Sequence, residues 1–124
     1  MTGPLANVAR FRVDWDGNGE AGGFLRVEIA PLTHEAEGGE IVLTRAVGGD
    51  RTLFDWFHSE RGARRPRTRD LRVSLLDASG GTVAALSIAG ARPVRYSLST
   101  LDAMGDGPVL EALALAYARI DRKG

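Results

Sequence analysis

Val109-Leu110-Glu111-Ala112-Leu113-Ala114-Leu115-Ala116-Tyr117-Ala118-Arg119-Ile120 is the stretch on which the fold turns. Its alanines and leucines favour a helix by intrinsic propensity. The same residues also alternate strictly. Leu110, Ala112, Ala114, Ala116 and Ala118 fall on one side of a strand, and Val109, Glu111, Leu113, Leu115 and Tyr117 on the other. Pro108 opens either element. Taken alone, the segment leaves helix and strand both standing, so the rest of the chain has to decide.

Upstream, twelve of the chain's 16 glycines cluster at Gly17/Gly19, Gly22/Gly23, Gly38/Gly39, Gly48/Gly49, Gly80/Gly81 and Gly105/Gly107. Short alternating segments lie between them. Ala9–Trp15 sets Phe11, Val13 and Trp15 against Arg10, Arg12 and Asp14. Phe24–Ala30 sets Leu25, Val27 and Ile29 against Phe24, Arg26 and Glu28, and Pro31 closes it. Glu40–Ala46 carries Ile41 and Leu43 on one side. Arg69–Asp77 alternates Leu71, Val73 and Leu75 with Arg72, Ser74 and Leu76. Asp77-Ala78-Ser79-Gly80-Gly81 has hairpin-turn chemistry. Thr82–Ala89 returns, Pro93 interrupts, and Val94–Leu98 resumes extended structure.

The one clear helix is Thr52–Arg61. Asp50 or Thr52 caps its free N–H groups, and Gly62 ends it. Leu53, Trp56 and Phe57 share the i, i+3, i+4 spacing of one apolar face, which suits a plug over the β-structure. The expected fold is therefore mainly β: a small antiparallel β-barrel or sandwich of about six to eight strands with one flanking α-helix, about residues 52–61. With neither an internal repeat nor a long linker, residues 1–124 read as one domain.

Bulk composition narrows the function. Sixteen basic residues balance sixteen acidic ones, without the basic excess of a strong nucleic-acid binder. The absence of cysteine removes disulfides, thiolate metal sites and a cysteine nucleophile. Met1–Ala9 lacks the apolar run of a signal peptide, and no stretch approaches the roughly 20 apolar residues of a membrane span. A soluble protein made in the cytoplasm, with no membrane partner, is expected.

The motifs that resemble catalytic or ligand sites each fail on context. Gly17-Asn18-Gly19-Glu20-Ala21-Gly22 matches a dinucleotide fingerprint, but a strand follows where a helix is needed. Asp14, Asp16, Asn18 and Gly19 begin like a calcium loop, yet the twelfth position is Leu25 and not a glutamate. His34-Glu35-Ala36-Glu37-Gly38 lacks the second histidine of a zinc helix. Asp55, His58 and Ser59 hold the residue types of a triad, but neighbours on a helix stand about 100° apart and do not face one another. Neither a catalytic site, a metal nor a cofactor is expected. Arg61, Arg64, Arg65, Arg67 and Arg69 form one basic cluster without interleaved aromatics, which favours a subunit-contact loop over base stacking.

The order of segments carries more than any of these motifs. Phe11-Arg12-Val13-Asp14 leads through a glycine-rich turn to Gly23-Phe24-Leu25-Arg26-Val27. Ile41-Val42-Leu43-Thr44-Arg45-Ala46 precedes the aromatic helix Leu53-Phe54-Asp55-Trp56-Phe57. Leu75-Leu76-Asp77 with its Gly80 turn, Ala91-Arg92-Pro93-Val94, Leu101-Asp102-Ala103 and Glu111 in the last segment follow. This succession, over about residues 9–120, resembles the tail tube family of T4-like phages and contractile injection systems.

The resemblance implies a β-barrel-like subunit and makes residues 109–120 a strand. It also implies that six copies close a ring by edge-to-edge strand pairing and that rings stack into a hollow tube. Sheath and baseplate proteins are the implied partners, and nucleic acid enters only as lumen cargo. Candidate subunit-contact residues are Leu32, His34, Glu35 and Glu37 in one loop and Arg64, Arg65 and Arg67 in another. The chain departs from the family between its second and third strands, where only Pro31 to Gly39 stands in place of a longer segment. That shortening admits a second reading, a tube-initiator or baseplate-proximal ring. A stand-alone binding β-domain that uses the arginine cluster is a third.

Overall fold

The computed structural model describes residues 10–15, 20–62, 64–65, 67–99, 105 and 107–123. Ala9, the turn at Asp16–Gly19 and the Leu101-Asp102-Ala103 segment lie outside them. Seven strands and one helix follow in chain order: β1 (Arg10–Trp15), β2 (Glu20–Ile29), β3 (Gly39–Ala46), α1 (Thr52–Glu60), β4 (Arg69–Leu76), β5 (Thr82–Leu98), β6 (Leu110–Tyr117) and β7 (Arg119–Arg122). The ambiguous C-terminal stretch is strand and not helix: β6 is interrupted by a bend at Ala118 before β7. In β6, Leu113 and Leu115 are fully buried and Tyr117 nearly so, while the intervening alanines pack against neighbouring strands.

All pairings are antiparallel, and they return on themselves. β1 lies between β2 and β4, β3 between β2 and β6, and β5 pairs with both β6 and β4. The sheet is thus closed, in keeping with the expected small antiparallel β-structure. The reason is the length of β5. Its first half pairs with β4, from Leu76↔Thr82 to Arg69↔Ala91, and its second half pairs with β6, from Arg92↔Ala116 to Leu98↔Glu111. β7 continues the line of β6 along β5, from Ala89↔Arg119 to Leu86↔Arg122.

Pro93 does not divide this strand as expected. It pairs opposite Leu115 at a register shift between Pro93 and Arg95, a place where a missing N–H donor is tolerated. Among the described residues, no strand pairs with the β4-side edge of Arg92–Leu98.

β2 begins earlier than the sequence indicates and carries two irregularities. Its register shifts against β3 between Phe24 and Arg26, and against β1 between the Phe11 and Val13 pairings. One extra residue inverts the side-chain alternation. Phe24, expected on the outer face, is therefore 4% exposed, and Leu25, expected to share a face with Val27 and Ile29, is 62% exposed. Gly23 supports the irregularity with φ of 77°, a conformation that costs an L-residue about 1–2 kcal/mol.

The core runs through the closed sheet: Val13, Trp15, Phe24, Ile41, Leu43, Leu71, Val73, Ile88, Leu113 and Leu115. α1 closes one end of it. Leu53 and Trp56 of the helix are buried, Phe57 is half-buried, and the Trp56 ring lies 5.5 Å from that of Trp15. Gly62, at φ 76°, turns the chain out of the helix as expected.

Gly23→Ala is expected to lower stability by about 1–2 kcal/mol, read as a shift in the urea midpoint. Leu25→Ser is expected to stay within about 0.5 kcal/mol of the parent. A large loss at Leu25 would contradict the shifted alternation.

Candidate assembly surfaces and their internal anchor

Two charged residues sit on the inward parity of their strands. Arg45 follows Ile41 and Leu43, and Glu111 precedes Leu113 and Leu115, so each would carry a full charge into the core unless the two met. They do meet. Arg45 Nε donates to Glu111 Oε2 at 2.8 Å, with both side chains about 95% buried, across the directly paired positions of β3 and β6. Tyr96 of β5 donates its hydroxyl to Glu111 Oε1 at 2.7 Å. Arg45 extends the network outward: Nη1 donates to Asp50 Oδ2 at 3.1 Å and Nη2 to the Asp50 carbonyl at 3.0 Å.

Asp50 carries the network on to α1. Its Oδ1 accepts from the Thr52 N–H at 2.8 Å and from the Thr52 hydroxyl. Three strands and the start of the helix are thereby joined through one ion pair.

These contacts show in the titration of the groups. The Thr52 hydroxyl and N–H, with help from Arg45, draw the Asp50 carboxyl down to about 2. Burial, together with the hydrogen bond to Glu111, pushes the Tyr96 phenol up to about 12. A second cation holds the other side of the helix: the Arg69 guanidinium lies 4.6 Å from the Trp56 ring centroid and 5.9 Å from that of Trp15.

The sequence-predicted contact residues are all exposed, and they lie in two separate connections. Leu32, His34, Glu35 and Glu37 lie between β2 and β3, with Leu32 66% exposed. Arg64, Arg65 and Arg67 lie between α1 and β4. The third-position residues of the triad-like motif are occupied elsewhere. The Ser59 hydroxyl donates to the Trp56 carbonyl at 2.9 Å, and His58 stacks on Phe54 with ring centroids 5.7 Å apart. Among the described residues no three His, Asp or Glu side chains converge as a metal site would require, and no helix is long and apolar enough to cross a membrane.

Sequence reasoning missed a different surface. Phe54, Val94 and Leu98 are large, apolar and exposed, and Phe54 packs edge-on against Tyr96 at 5.3 Å. They border the unpaired edge of β5. Pattern reading assigned Val94 and Leu98 to a strand but could not show that one edge of that strand would stand bare. The Arg45–Glu111 pair was missed as well, although both charges fall on an otherwise apolar parity.

The sequence profile of the T4-like virus tail tube protein gp19 matches residues 30–121, about three quarters of the chain. The chain belongs to this tail tube family. No curated protein matches it. Among solved structures, this tail tube chain is similar to one from the PVC extracellular contractile injection system in its sheath/tube terminator structure, with TM-score 0.80, 19% identity, and all of both chains covered. A chain in the sheath-tube complex of the same system gives TM-score 0.78 at 19% identity, covering 97% of this chain and 92% of that one. A chain in the baseplate of the anti-feeding prophage gives 0.75 at 20% identity, covering 100% and 98%. These likenesses establish the shared fold.

Arg45→Met strands the Glu111 charge in the core and is expected to destabilise the chain by about 3–5 kcal/mol. Arg45→Met combined with Glu111→Leu is expected to recover most of that loss. Equilibrium urea unfolding of the two variants checks both.

Asp50 prefers its charged form in the folded state. Its contribution is whole above the ordinary carboxylate value of 3.8 and is lost as pH falls through about 2. The unfolding midpoint is therefore expected to decline between these pH values, and Asp50→Asn to flatten that decline.

Proposed function

We propose that the chain, as one tail-tube-like domain over residues 1–124, builds the inner tube of a contractile phage tail or injection particle. Six copies form each ring and rings stack into a conduit. The role is structural and not catalytic. Sheath and baseplate proteins are its outer and basal neighbours, nucleic acid is at most lumen cargo, and synthesis takes place in a bacterial cytoplasm before assembly. The observation that carries this reading is the profile match over residues 30–121. The exposed surface gives it a physical basis. Leu25 and Leu32 stand out on the β2 side, and Phe54, Val94 and Leu98 on the β5 side.

Burying a side chain of this size yields about 1.5–3 kcal/mol. Two different patches on one copy make a head-to-tail contact, which closes into a ring when the rotation is right. The closed sheet changes how assembly works. A copy needs no neighbour to complete its core, and the contact is made by apolar patches and the bare segment of β5.

A second reading within the family is a ring at the base of the tube. The similarity to a chain of the anti-feeding prophage baseplate and the short connection Ala30–Gly38 favour it. The two readings separate on whether purified rings extend into tubes.

Negative-stain microscopy and sedimentation of the purified protein are expected to show six-membered rings. Val94→Asp with Leu98→Asp is expected to leave the folded monomer and abolish the rings. A parent protein that stays monomeric at high concentration would overturn the reading.

A further inference from the structure

Two arginines fall on the inward parity of their strands, and their surroundings differ. Arg45 of β3 is answered by two carboxylates, Glu111 at 2.8 Å and Asp50 at 3.1 Å. Arg69 opens β4 on the parity of Leu71 and Val73, both of them buried. It is half-buried, and its guanidinium lies 4.6 Å from the Trp56 ring centroid and 5.9 Å from that of Trp15. Among the described residues no acid pairs with it and no acceptor bonds to it. A guanidinium that rests on a ring uses its flat face and keeps its N–H fork for a planar acceptor. The rings supply none. The Trp56 Nε1–H is itself buried without a partner among the described residues.

The chain around Arg69 is strongly cationic. Arg61, Arg64, Arg65 and Arg67 lie in the connection between α1 and β4, and all four are exposed. Residues 60–70 hold five arginines against two acids, although the whole chain is neutral. Each of those acids has an oxygen engaged by a backbone N–H. Glu60 Oε2 accepts from Arg67 at 2.8 Å, and Asp70 Oδ1 accepts from Gly90 at 3.0 Å. The Glu60 bond ties the connection back to the last turn of α1. Asp70, next to Arg69 on the strand, has the opposite parity.

We propose that Arg69 and the arginine connection form a docking site for an acidic segment of a partner protein. One carboxylate takes the Arg69 fork, and further acidic side chains lie along residues 61–67. The match is one of charge and of shape. Guanidinium and carboxylate are both planar and pair through two parallel N–H···O bonds. A guanidinium already held on a ring has less freedom to lose when it binds. A protein segment fits better than a nucleic acid, because Trp15 and Trp56 are 4% and 1% exposed and offer bases no face to stack on. The site lies within one copy, so the inference stands apart from ring formation.

Both tryptophans of the chain are in this site, so their fluorescence reports on it alone. The probe is a synthetic peptide of alternating glutamate and serine, with its glutamine counterpart as control. At about 0.1 M salt the glutamate peptide is expected to change the tryptophan emission saturably, and the glutamine peptide to leave it unchanged. Raising the salt to about 1 M, where the screening length falls from ~10 to ~3 Å, is expected to weaken binding several-fold. Arg64→Gln with Arg65→Gln, on the exposed connection, is expected to keep the fold and bind the peptide several-fold more weakly. Arg69→Lys keeps the charge but loses the fork, and is expected to lose most of the emission change. Urea unfolding of both variants checks that the fold is retained.

An emission that ignores the glutamate peptide, or answers the glutamine peptide equally, would overturn the site. Full binding by the Arg64 and Arg65 double variant would do the same. A DNA oligonucleotide that binds more tightly than the glutamate peptide would overturn the choice of partner and assign the site to phosphate. Each of these outcomes is read whether or not rings form, so the tube reading is tested separately.

Discussion

One strand of seventeen residues holds this structure together. β5 is long enough to pair along β4 in its first half and along β6 in its second, and no other described strand bridges those two. Shortened to its first half, the sheet would lose its join to β6, and the core between the walls would open. Pro93 and the register shifts bend β5 so that it can serve both neighbours. In such a strand, irregularity is part of closing the sheet.

Closure then dictates where charge may go. A closed sheet has an inside, and Arg45 and Glu111 point into it. Their survival there depends on being directly opposite each other on β3 and β6, with Tyr96 and Asp50 taking the remaining hydrogen-bonding capacity. The pair is weak evidence for stability as such, since a well-packed apolar substitute often does as well. Its consequence is geometric: it fixes the register of β6 against β3 and sets the angle at which the chain enters α1. That in turn places Trp56 on Trp15 and Phe54 beside Tyr96, so the internal anchor also shapes the outer apolar patch on which assembly depends.

A subunit that is closed by itself can be made and stored before it is assembled. An open sheet would pair promiscuously along its edges, whereas here only part of β5 and the outer edge of the short β7 stand bare among the described residues. What the fold leaves exposed for contact is a set of large apolar side chains, Leu25, Leu32, Phe54, Val94 and Leu98.

Much of this was written in the sequence. Alternation placed β1, β3 and β4 and assigned the inward faces of β1, of β3 and of β4 as far as Val73, because a half-buried strand needs period-two hydrophobicity; beyond a register shift at the end of β4, Leu76 and not Leu75 is the buried residue. The i, i+3, i+4 spacing of Leu53, Trp56 and Phe57 located the helix and its buried face. Other features came only from the tertiary structure. Leu-Ala alternation satisfies a helix and a strand alike, and β6 is a strand because β3 and β5 offer it partners on both edges. Leu25 faces out because an irregularity beside Gly23, a residue whose glycine signal fits a turn as well as a bulge, shifts its strand by one residue. Closure itself was hidden for the same reason: strand pairing joins residues distant in the chain, and local pattern carries no record of which edges will meet.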